Sequence, residues 1–259
     1  MLISIRRPLW AICLLFFFPP LLPPIALAQT EKEQDRTLRE NSQSGPAIFQ
    51  VGTGYHYSEG DDGTDLPKSK THIVSSTLAV AYGGYSLSAS LPWEHFIFPV
   101  EEEEDIHLRG LGDVSTSLSG ILPSPTENIS FDWYAGLVLP TASVESGLGA
   151  GELIYSLGLD ATRDWESFYI STGIGTDFSR SGGGMSLSAE IGYDITDTFS
   201  TAFTYDWASS GAETDDSHEI TASFGYDVTD KSNIQFYTGT GFSDTSPDLM
   251  GGISILTRL

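Results

Sequence analysis

Cysteine is almost missing from this chain. The 259 residues include one, Cys13, which falls inside an apolar N-terminal stretch, so a disulfide framework is excluded. Ile12 before it and the long apolar stretch after it argue against a lipoprotein site. Positive charge is also scarce: 12 Lys and Arg stand against 35 Asp and Glu, a formal net charge of -23. That balance argues against a nucleic-acid partner, which needs a basic footprint. Long hydrophobic runs are absent beyond the N-terminal stretch. This excludes helical membrane spans but not strand-built barrels, whose signal per segment is far weaker.

Motifs for chemistry are missing too. None of His56, His72, His95, His107 and His218 stands in H-E-x-x-H, and no serine stands in G-x-S-x-G. His218, on the apolar face at a strand's outer end, is the one mildly suggestive histidine. A Ser-His pair on neighbouring strands would leave no local motif, but nothing singles one out, and the chain is read as no enzyme. Gly147-Leu148-Gly149-Ala150-Gly151 has no helix after it to receive a phosphate, so it reads as a loop. The run Glu101-Glu102-Glu103-Glu104-Asp105 lacks the spacing of a calcium loop and reads as a solvated face. Neither metal nor cofactor is expected.

What is present begins with a signal. Arg6 and Arg7 precede an apolar region over 11–24, interrupted by Pro19, Pro20, Pro23 and Pro24, and Ala26-Leu27-Ala28 offers a cleavage site before Gln29. Residues 1–28 are therefore expected to be a signal peptide, and 29–45, polar and aperiodic, a flexible periplasmic leader. From 46 to 259 nearly everything alternates with period two. In IGYDITDTFSTAFTYDW, Ile191, Tyr193, Ile195, Phe199, Phe203, Tyr205 and Trp207 oppose Gly192, Asp194, Ser200, Ala202, Thr204 and Asp206. That is a hairpin with one greasy and one small, wet face.

Twelve such segments are expected, with ten or fourteen left open: 47–57, 72–82, 85–92, 110–122, 128–139, 152–162, 167–178, 184–195, 199–208, 218–228, 232–242 and 249–258. Long, mostly acidic connections alternate with tight ones. Gly158, Gly192 and Gly225 open a repeated Gly-(Tyr/Leu)-Asp-x-Thr on the tight side, where Asp and Thr can satisfy turn groups. A soluble sandwich or lectin-like adhesin would show water a charged face. Here the wet face is small and nearly free of Lys and Arg, which suits a narrow interior. Strands near eleven residues, with tyrosines and tryptophans gathered at their ends, fit a membrane's thickness and its two interfaces.

The expected architecture is all-β: a single antiparallel transmembrane β-barrel in the outer membrane of a Gram-negative bacterium, both termini periplasmic. Its lumen candidates are Asp113, Asp132, Tyr134, Asp160, Tyr169, Asp177, Glu190, Asp206, Glu219 and Tyr237, joined along the same face by Asp194, Asp227 and Gln235. Carboxylates there would repel anions and favour cations or neutral polar solutes. Asp160, Asp194 and Asp227 are assigned to turns. Trp93, Phe96 and Phe98 are placed in the long connection after the third strand, as a mouth or plug. The function expected is passive uptake of small solutes. The rival is a non-conducting structural or adhesion barrel with acidic surface loops. Expected partners are outer-membrane lipid, small-molecule solutes and the assembly machinery; oligomeric state is left open.

Part of the chain resembles a known family. Segments 108–122, 133–143 and 152–178 are similar to outer-membrane proteins grouped as the putative MetA-pathway of phenol degradation, in which Gly-x-Gly-Asp opens a strand and a later strand ends in Leu-Pro-Thr-Gly. The matching residues are Gly110, Gly112, Asp113, Leu139, Pro140 and Thr141, with Ala142 where glycine is usual. The resemblance implies channel or transporter activity toward aromatic or hydrocarbon-like compounds. Such barrels often end in an aromatic residue that the assembly machinery reads; this chain ends in Leu259.

Overall fold

A computed structural model of the chain describes residues 45–60, 68–100, 104–124, 126, 128–143, 147–209 and 216–259. The expected signal peptide, all of the leader but Gly45, and Glu101 to Glu103 of the acidic run lie outside the described residues. Among those described none is helical. Thirteen strands follow one another: β1 (Ile48–Gly60), β2 (Ser69–Tyr82), β3 (Tyr85–Phe98), β4 (Ile106–Leu111), β5 (Val114–Leu122), β6 (Ile129–Leu139), β7 (Ile154–Asp164), β8 (Phe168–Phe178), β9 (Gly183–Thr196), β10 (Phe199–Ser209), β11 (Ser217–Thr229), β12 (Ser232–Gly241) and β13 (Leu249–Arg258).

Every pairing is antiparallel, and β1 pairs with both β2 and β13, so the sheet closes on itself. β3 pairs with β5 along Tyr85–Ser90 and with β4 along Trp93–Phe98. β4 and β5 therefore share one place in the wall, and thirteen strands make a twelve-position barrel.

Period-two alternation explains why these residues close. The outward side chains are large and apolar and remain exposed, among them Leu78 at 64%, Phe203 at 55% and Ile191 at 51%. In a sandwich they would lie hidden against a second sheet. Here the buried apolar cluster among the described residues is only Tyr237 with Met250. A largely apolar exterior around a polar interior is the inverse of a soluble fold and matches a hydrocarbon solvent. Closure leaves the short β4, which pairs with β3 alone, as the one edge among the described strands; elsewhere each ladder has partners on both sides, as lipid demands.

Connections sort by rim. The tight ones, at 83–84, 123–128, 165–167, 197–198 and 230–231, share a rim with the start of β1 and the end of β13, where Leu259 N–H donates to the Phe49 carbonyl at 2.9 Å. Gly83 and Gly84 have φ of 62° and 82°. Both central residues of a two-residue primed hairpin need that left-handed backbone, which glycine adopts without strain.

Two strand expectations need correction. The third strand does not stop at 92: it runs to Phe98, so Trp93, Phe96 and Phe98 belong to the wall and not to a connection. Val74↔Trp93 and Lys70↔Ile97 pair it with β2, and Trp93↔Leu111 and Phe98↔Ile106 with β4. Pro92 looks like a terminator, yet its carbonyl accepts from Gly112 N–H at 3.0 Å. A strand residue points its N–H and C=O to the same side. The donor that Pro92 lacks would thus face the interruption between β4 and β5, where the ladder asks least of it. That interruption is the second correction: the expected segment 110–122 is two strands, broken at Gly112-Asp113.

Candidate functional site

The register carries one set of side chains into the interior around the whole circumference. On β10 and β11, Asp206 and Glu219 face each other directly and are 1% and 7% exposed. Ser217 Oγ donates to Glu219 Oε1 at 3.1 Å. Glu190 on β9 collects two hydroxyls: Tyr169 donates to Oε1 and Thr204 to Oε2, both at 2.8 Å. Ser156 Oγ donates to Asp177 Oδ1 at 2.5 Å. Asp132 and Asp160 oppose each other across β6 and β7. Asp160 was assigned to a turn; it sits instead within the β7 ladder, with Asp164 closing that strand. Asp194 and Asp227 do lie near the tight rim, where with Ser200, Gly225 and Asn233 they line a recess of about 450 Å³.

The same parity places Lys and Arg almost entirely elsewhere. Among the described strands Arg258, at the tight-turn rim, is the Lys or Arg on the inner face, against carboxylates on β3 and β6 to β11.

The repeated glycine has a role the alternation alone does not reveal. Tyr134 lies over Gly158, its cross-strand neighbour, so closely that a β-carbon there would come 2.1 Å from the ring. Tyr169 lies over Gly192 in the same way, at 2.2 Å, and Tyr237 over Gly252 at 2.5 Å. Each inward tyrosine is laid flat against the wall because its neighbour has no side chain. The first glycines of two motif copies, at 158 and 192, are thus aromatic cradles. Tyr237 also bonds His56 through its hydroxyl and stacks on that ring with centroids 5.8 Å apart.

The most organised feature is at the rim of the long connections. Asp113, at the interruption, is 8% exposed; it accepts from Ala142 N–H at 2.8 Å and Ala150 N–H at 2.6 Å. One carboxylate thereby fastens both halves of the β6–β7 connection. Three glycines with φ of 68° to 75°, Gly147, Gly149 and Gly151, let that connection fold tightly. Leu148 between them is 2% exposed and rests on the inward face of Gly110. Beside it, the Glu94 carboxylate fills the space over Gly112. The glycine-rich run, expected to be a free loop, is an inward lobe with an apolar tip.

Of the three aromatics placed at the mouth, Phe96 and Phe98 are on the inner face, with centroids 6.4 Å apart, and Trp93 is on the outer face. Leu148, Glu94 and His56 were not singled out from sequence. The only signals for them were the glycines that Leu148 and Glu94 pack against and, for His56 and Glu94, their parity.

Several solved structures share this architecture. The NanC porin superposes with a TM-score of 0.55 at 10% identity, covering 82% of this chain and 100% of that one. The KdgM porin gives 0.52 at 11% identity, covering 83% and 99%. The CymD monoaromatic hydrocarbon channel gives 0.51 at 11% identity, covering 90% and 93%. At these identities the likeness is one of fold: an outer-membrane β-barrel of the porin kind. Among curated proteins none matches the chain by sequence. The family profile described as "Putative MetA-pathway of phenol degradation" matches residues 49–259, nearly the whole barrel, and the chain belongs to that family.

Proposed function

We propose that this barrel is a narrow outer-membrane channel for the passive uptake of small solutes, with an acidic interior and an entrance restricted by the lobe that 140–143 and 147–153 form. The observation that carries this reading is the set of inward carboxylates on β3 and β6 to β11, together with a lobe held by Asp113. Fixed negative charge in a low-dielectric tube repels anions and favours cations and neutral polar molecules. The entrance adds an apolar element, since Leu148, Phe96 and Phe98 are on the inner side of the mouth. This supports admission of aromatic or hydrocarbon-like solutes, the class named for the CymD neighbour. No catalytic step is assigned. The tight turns and both termini are proposed to face the periplasm.

Purified protein in planar bilayers tests the channel. Discrete conductance steps with cation preference support it. Silence at every voltage supports the rival reading, a non-conducting barrel, which the burial of Leu148, Met250 and His56 in the interior favours. Orientation is tested by single cysteines at Asp230 and Asp248 with an impermeant thiol reagent on intact cells. Labelling at 248 alone is expected.

A further inference from the structure

Basic and imidazole groups are rare here, yet they gather on one patch of the outer wall. At the long-connection rim, β2, β3 and β4 present Lys70, His72, His95, His107 and Arg109 on the lipid-facing side. That is three of the chain's five histidines. The register sets His72 beside His95 and His95 beside Arg109 in one row, with Lys70 and His107 in the row above. His72 and His95 have centroids 5.8 Å apart, and His95 and His107 5.3 Å apart. His95 Nε2 and His107 Nδ1 are 3.0 Å apart and share one proton, leaving the opposite nitrogens for another partner. Tyr55 Oη is 2.8 Å from His72 Nδ1 and braces that ring.

Among the described residues neither Lys70 nor Arg109 forms an ion pair. The nearby Lys68 is bound to Asp248 at 2.8 Å, and Glu59, the cross-strand neighbour of Lys70, accepts from the Tyr57 hydroxyl at 2.5 Å. Glu104 and Asp105 are exposed just before β4. Immediately below the patch come Trp93, Val74 and Tyr55 in one row, then the exposed Leu91 and Leu78. The height is that of lipid headgroups, where aromatic belts sit.

We infer that this patch binds the phosphate of an outer-leaflet lipid headgroup, with Arg109, Lys70 and the three imidazoles supplying N–H donors. A phosphate monoester offers the charge and the several acceptor oxygens such a cluster suits. Among the described residues no ion pair holds Lys70 or Arg109, so a headgroup phosphate at this level can accept from both. The inference rests on the proposed orientation, because only then does the patch meet the outer leaflet.

Native mass spectrometry of the full-length mature barrel, titrated in detergent with lipid A, tests it. Lipid A should bind, and its dephosphorylated form should bind about tenfold more weakly or not at all. A His72→Gln/His95→Gln/Arg109→Gln variant should lose about tenfold in affinity, whereas Lys231→Gln at the other rim should lose nothing. Arg109→Gln alone, an exposed change, provides the same reading in a smaller step should the triple variant not fold. Equal binding of dephosphorylated lipid, or undiminished binding by a folded variant, overturns the inference. Conductance of these variants should stay at the wild-type level, and the thiol-labelling result is read independently, so failure here is distinguishable from failure of the channel reading.

Discussion

Leu148 stands where a side chain at position 110 would have to go: a β-carbon on Gly110 would lie 2.7 Å from Leu148 Cδ1. A residue of the β6–β7 connection and one of β4 are thus complementary, and the entrance depends on the pair. Leu148→Ala removes a buried apolar side chain of a kind that typically contributes about 2–5 kcal/mol. The lobe should undock, and single-channel conductance should rise. Gly110→Val should produce the same change by displacing Leu148 from the other side.

Asp113 holds that lobe by two backbone donors. Hydrogen bonds to a charged acceptor contribute about 1.5–3 kcal/mol each. Asp113→Ala should therefore expose the Ala142 and Ala150 amides to rapid hydrogen exchange while the ladders of β8 to β12 keep their protection. Unchanged exchange at both amides would show that the lobe is held by other means.

Glu190 is held by two hydroxyl donors, those of Tyr169 and Thr204. Glu190→Gln keeps the shape and removes one fixed charge, so reversal potentials in a salt gradient should move toward zero. Asp206→Asn and Glu219→Gln should move them the same way. A selectivity indifferent to all three places the ion path elsewhere.

Gly192 tests the cradle arrangement. Gly192→Leu forces Tyr169 off the wall and away from Glu190, an overpacking expected to cost about 1–3 kcal/mol. The folded band on semi-native gels should be lost at a lower temperature. Pairing Gly192→Leu with Tyr169→Ala should restore much of the loss, since the clash then disappears.

Glu152 clasps two outer connections by accepting from the hydroxyl and N–H of Ser181. The Ser181 hydroxyl, first among its partners, holds the Glu152 carboxyl below its ordinary value. A depressed carboxyl gives its stabilisation above the unfolded pKa, about 4.3 for glutamate, and loses it as pH falls through the lower folded value. The clasp should stay closed from neutral pH down to that region and open only below it. The Ser181 amide shift, followed by NMR across a pH titration, should show one transition under the usual glutamate range, absent in Glu152→Gln.

Much of the wall is written locally. Ile191 to Trp207 alternates because one side meets hydrocarbon and the other a narrow interior, and a period of two shows in any short window. Twelve wall positions could be counted for that reason. Residues 93–98 could not be assigned, because Pro92 terminates strands in most settings and only its place beside the Gly112-Asp113 interruption makes it harmless. The inward lobe was equally illegible. Its glycines suggest freedom, and what removes it is a carboxylate on another element. Gly158 and Gly192 fell between these cases: their recurrence was plain, but its cause lies on the adjacent strand.

The seam between β1 and β13 joins Gln50 to Arg258, nearly the two extremes of the barrel sequence. Until the ribosome has released the final strand, the ribbon has two bare margins and nothing to zip them together. Such a molecule cannot mature piecemeal during synthesis. It must cross to its membrane unclosed, shielded from itself, and lock only when its last dozen residues arrive. Losing those few residues should therefore abolish the cylinder and not merely shorten it.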